Sequence, residues 1–116
     1  MTIRRLKTYT GSQGYVYQYY FVGQRPTPSA DATEYIFDVT DDRKTTYAVI
    51  VLLPKQVVAA WGEKHGRPLA DSEQYAAVKL RLFRAFDELE NVRQTGRRLD
   101  ISQQALEDSL LTLGVD

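Results

Sequence analysis

Four aromatic side chains, Tyr15, Tyr17, Tyr19 and Phe21, stand at every second position of one segment. That spacing is the period of a β-strand, so the four rings fall on one face. A row of rings on an open sheet face can stack the bases of a single-stranded nucleic acid or anchor a protein partner. The same row can equally be core, because aromatic cross-strand pairs stabilise a sheet by roughly 0.2–1 kcal/mol each. Val16, Gln18, Tyr20 and Val22 take the opposite face. Alternation alone does not say which of the two rows meets the rest of the protein.

The second group with chemical potential is basic. Arg4, Arg5 and Lys7 precede the aromatic segment and with it form a candidate nucleic-acid surface, the cations meeting phosphates. Other basic residues gather at Lys79, Arg81 and Arg84 and at Arg97 and Arg98. Against a strongly electrostatic binder stands the balance of 15 basic and 15 acidic residues, a formal net charge of zero. The aromatic strand also departs from that of RNA-recognition motifs. Gln13 replaces the basic residue, Val16 the small one and Gln18 the aliphatic one.

Acids cluster at Glu34, Asp38, Asp41 and Asp42. Paired carboxylates can hold Mg²⁺ or move protons. Their spacing is not that of an EF-hand, and aspartates suit the turn expected there. His65 is the single histidine, at an expected helix end where a cation favours the dipole. No motif sets a nucleophile beside it. Gly11-Ser12-Gln13-Gly14 lacks the lysine and the helix start of a phosphate-binding loop, and reads as a hairpin turn. The chain has no cysteine, which removes disulfides, thiolate metal sites and cysteine nucleophiles. No catalytic residue, metal site or cofactor is therefore expected.

The elements that must position these residues follow from period and punctuation. Ile3–Tyr9 and Tyr15–Val22 read as one hairpin; Glu34–Thr40 and Thr45–Leu53 read as another across the polar turn at 41–44. Tyr35, Phe37 and Val39 share one face of their strand; Ile36 and Asp38 share the other. From Tyr47 onward the fourth strand is almost wholly apolar, as in a strand buried on both faces or lying at a subunit contact. Pro54 suits the first position of a helix that runs to His65, with Gly66 beyond its end. Asp71, with Gln74 three residues on, caps a long helix from Ser72 to about Thr95, stopped by Gly96. A short extended piece spans Arg97–Ile101, and Ser102 caps a last helix that ends at Gly114.

Strands first and helices after predict an α+β fold: a four-stranded, mainly antiparallel sheet of two hairpins, then three helices, the long one across one sheet face. The order of four strands and then a helix is similar to that of single-strand-binding coactivator domains that dimerise through a terminal helix. A length of 116 residues, a hydrophobic fraction of 43% and charged residues at 26% suit one domain over 1–116 with its own core. No apolar run is long enough to span a bilayer, and no signal peptide is read at the N-terminus, so a cytoplasmic protein with no membrane association is expected. The expected function is a non-enzymatic protein-interaction or self-association module, with a homodimer as the leading arrangement. The alternative is a single-stranded nucleic-acid-binding domain using the Tyr15 row.

Overall fold

Gly11 and Gly14 close the first hairpin. The Gly11 N–H donates to the Tyr15 carbonyl at 2.9 Å, and Gly14 takes φ +90°, a conformation open to glycine. A side chain at Gly11 would place its Cβ 2.5 Å from the carbonyl oxygen of Phe86, so this turn lies hard against a helix. The computed structural model describes residues 6–115. Its elements, in chain order, are β1 (Lys7–Thr10), β2 (Val16–Pro26), β3 (Ala32–Thr40), β4 (Tyr47–Pro54), α1 (Lys55–His65), α2 (Asp71–Glu88), α3 (Val92–Thr95), β5 (Arg98–Asp100) and α4 (Gln103–Thr112).

The four expected strands form an antiparallel meander in the order β1-β2-β3-β4, and β5 adds to it parallel to β4. The α+β class, the two hairpins and the mainly antiparallel sheet are as expected. The extended piece near Arg97 is a fifth strand. A parallel neighbour needs a long crossover, and α1, α2 and α3 supply it. Ile50 donates its N–H to the Arg97 carbonyl at 2.8 Å, and Ile101 donates to the Leu52 carbonyl at 3.1 Å.

The long helix is shorter than its apolar period suggests. It stops at Glu88; Leu89 is extended at φ −95°, ψ 131°, and Asn91 accepts a hydrogen bond from the Gln94 N–H to open α3. Asparagine offers the backbone a local partner outside the helix, which favours a break there. The break turns the chain back toward β4. At the other end of α2, Ala70 rather than Asp71 is the capping residue. Glu73 reaches back to the Ala70 N–H at 2.8 Å and is gripped by Arg67 through two bonds of 2.9 Å. Pro54 closes β4 immediately before α1. Gly66 is left-handed at φ 75°, and the Ser102 side chain accepts from the Ala105 N–H, both as expected.

The helices pack on one face of the sheet. The core joins Tyr17, Tyr19, Tyr35, Phe37, Val39, Tyr47, Val49, Val51 and Leu53 from the strands to Trp61, Val78, Leu82, Phe86, Leu106 and Leu110 from the helices. Every one of those strand residues is on the same side of the pleat. Among the described residues no element covers the other side.

Candidate functional site

Tyr17, Tyr19 and Phe21 point at α2. Phe86 stacks on Tyr17 at 4.2 Å between ring centroids, with planes 8° apart; Phe83 meets Tyr19 edge-on at 5.6 Å; Tyr75 meets Phe21 edge-on at 5.0 Å. Tyr17 is 1% and Tyr19 4% exposed. Burial raises both phenol pKa values above the ordinary range. Tyr17 and Tyr19 are thus core and closed to a ligand, and Phe21, half-buried, packs against that core. Tyr15, just before β2, is 51% exposed. Lys7 pairs with Tyr19 across the strands and stands beside Lys79, whose ammonium lies over the Phe83 and Tyr75 rings. Arg4 and Arg5 lie outside the described residues.

The acidic cluster is likewise accounted for by structural partners. Asp42 accepts from the N–H groups of Lys44 and Thr45 and from the Thr40 and Thr45 hydroxyls, which holds its carboxyl well below the usual range. Asp41 pairs with Arg93 at 3.0 Å, and that guanidinium lies over the Tyr47 ring. Asp38 accepts from the Tyr20 hydroxyl at 2.6 Å. Among the described residues, no group of three or more potential ligands is placed to hold a metal ion. His65 stacks on Trp61 and bonds Glu107 at 2.9 Å, which ties α1 to α4. A surface cavity of about 460 Å³ between α2 and α4 contains Asp87, but the Tyr9 hydroxyl and the Ser12 N–H already occupy its two oxygens.

Further surface cavities of about 530 and 510 Å³ lie beside Leu52, Arg98 and Asp100 and beside Val58, Gly62 and Leu69. The outer face of the sheet is laid out in rows by the register. Tyr20, Asp38 and Ala48 form one row across β2, β3 and β4. The next contains Gly23, Ile36, Ile50 and Arg98, with Val22 beside Gly23. The third reads Arg25, Glu34, Leu52 and Asp100. The β-bulge between Phe21 and Gly23 creates this order. Val22 is the extra residue, and the slip brings Arg25 to the outer face, opposite Glu34. The Arg25 Nε donates to Glu34 at 2.8 Å, and Arg98 approaches the other carboxylate oxygen at 3.9 Å. Glu34 is 6% exposed, a carboxylate sunk among these neighbours.

The centre of the face is apolar. Val22 is 40% exposed; Ile36, Ala48 and Ile50 are half-buried, shielded only by their neighbours on the sheet, and none belongs to the core. Sequence reasoning placed Ile36 and Asp38 on one face but did not assemble these rows. The bulge and the parallel partner β5 are both needed for that, and neither leaves a sequence signal. Comparison with protein-family models, with curated proteins and with solved structures finds no match. No helix among the described residues is long and apolar enough to cross a membrane.

Proposed function

We propose that this chain is a non-enzymatic protein-interaction module and that its outer sheet face is the docking surface. One observation carries this: among the described residues every helix packs on the inner face, and none covers the row Val22–Ile36–Ile50. A sheet face with apolar residues at its centre gains free energy when a second layer removes it from water, at roughly 25 cal/mol per Å². The rim specifies the chemistry of that layer. Arg25 and Arg98 stand against Glu34, Asp38 and Asp100, a mixture of signs that suits a folded protein surface and opposes a polyanion. The nucleic-acid alternative loses its stacking row, since Tyr17, Tyr19 and Phe21 face α2. The cysteine-free composition suits a cytoplasmic setting.

A photo-crosslinking residue at position 50 tests this, with the same residue at Glu63 on the exposed side of α1 as the control. The expected result is one adduct of discrete mass from position 50, absent from position 63 and lost when Ile36→Lys is added. No adduct from position 50, or equal labelling from both positions, overturns the proposal.

A further inference from the structure

We infer that the partner of the outer face is a second copy of this chain, packed sheet on sheet about a two-fold axis that runs along the strands between β3 and β4. The inference rests on that face being a docking surface and adds the identity and geometry of the partner. Two identical faces meet about an axis lying in the plane between them, and residue i then meets residue j of the second copy while j meets i. The charges in the rows on the outer face narrow where the axis can lie.

With the axis between β3 and β4, β2 of one copy lies over β5 of the other, and β3 over β4. Ile36 then meets Ile50, and Ile50 meets Ile36. In the third row Arg25 meets Asp100 on both sides of the axis, and Glu34 meets Leu52. Asp38 meets Ala48, and Arg98 meets Val22. No like charges oppose one another in any row. Moving the axis onto β3 stacks Glu34 on itself; moving it onto β4 sets Glu34 over Asp100. Turning it across the strands, along the Ile36–Ile50 row, sets Asp38 over Glu34. Like charges brought together and desolvated oppose association. Among these four placements, the axis between β3 and β4 alone has none of those contacts. It also gives the aligned face-to-face packing that twisted sheets adopt at about 10 Å separation.

The area fits a second copy held reversibly. Four strands at a spacing of about 4.8 Å and three rows at about 6.7 Å outline about 400 Å² in projection; Glu34 and Leu52 within it are already buried in the single chain, so two copies remove at most about 1,000 Å² of accessible surface. That is below the standard interface size and in the range of weak, reversible association. Both pairing residues present their charge at the surface: Arg25, although bonded to its own Glu34, has a side chain 65% exposed, and Asp100 is exposed.

The test is sedimentation equilibrium of two variants, Arg25→Glu and Asp100→Arg, alone and mixed. Each variant alone forms a dimer with two like-charge contacts, and its association weakens about tenfold relative to the unmodified chain. The equimolar mixture forms a heterodimer with both pairs intact, Arg25 to Asp100 and Glu to Arg, and recovers the unmodified affinity within about threefold. If Arg25→Glu unfolds beside Glu34, Arg25→Gln and Asp100→Asn in a double-mutant cycle replace it, and coupling between the two sites is expected. An unmodified chain that stays at 13.3 kDa at several hundred micromolar, a mixture no tighter than its components, or a cycle without coupling each overturns the inference. An adduct from position 50 with the mass of a different protein would overturn the second copy and leave the docking surface standing. Absence of any adduct would remove both.

Discussion

At the scale of single residues, the chain uses charge mostly to fasten its own backbone. Glu73 is the clearest case. It accepts from the Ala70 N–H at the start of α2 and from both terminal nitrogens of Arg67, whose guanidinium lies over Trp61. The Arg67 bonds first, and the backbone N–H second, hold the Glu73 carboxyl down at about 2, against 4.5 for an ordinary glutamate. A group whose pKa is lowered on folding stabilises the fold at pH values above its unfolded pKa. Its contribution is full above about pH 4.5 and falls away as pH drops through 2. Glu73→Gln is therefore expected to lower the melting temperature at pH 7, with the difference from the unmodified chain vanishing near pH 2. Melting curves across that range check it; a difference independent of pH would contradict it.

At the scale of elements, the contact between α2 and β2 sets which side of the sheet is wet. Phe86 is fully buried, stacked on Tyr17 and packed against Tyr9 and Tyr19. Phe86→Ala removes the middle of that stack and is expected to cost about 3–5 kcal/mol, measured as a fall in the urea midpoint. A cost below about 1 kcal/mol would mean that α2 does not hold β2. The sequence made much of this layer legible. The strands, the first hairpin turn and the caps at Gly66 and Ser102 follow from local chemistry. The inner face was within reach too: Tyr35, Phe37 and Val39 make one face of β3 far more apolar than the Ile36–Asp38 face, and β2 pairs with β3 so that its tyrosine row continues the heavier one. Three features are not settled by local chemistry. The break after Glu88 has Asn91 as its only local cue and depends also on the packing of Leu89 against the core. The parallel pairing of β5 depends on where that break sends the chain. The bulge at Val22 depends on pairing with β3. The proposed docking surface is built from the last two, so it could not be read from spacing.

At the scale of the whole molecule, the architecture is two layers, one of strands and one of helices, with only one boundary between them. A sheet in such an arrangement has one face that folding covers and one that it does not. The outer face solves this partly by itself: Glu34 is sunk between two arginines, and Ile36 and Ile50 shelter one another across β3 and β4. The apolar surface left over is what a second copy would cover. On this proposal stability and association separate: residues of the inner face hold the fold, and residues of the outer face would hold the partner.

The most direct test of that separation is the unfolding free energy of the Ile36→Lys, Ile50→Glu double variant, measured by urea at a concentration too low for association, where a dimer cannot add to apparent stability. The two substitutions set opposite charges at paired positions on the outer face. The expected result is a stability within about 1 kcal/mol of the unmodified chain, as for surface substitutions. A loss of about 3 kcal/mol or more, as for polar groups forced into a core, would mean that the outer face is covered by the fold itself and is no docking surface.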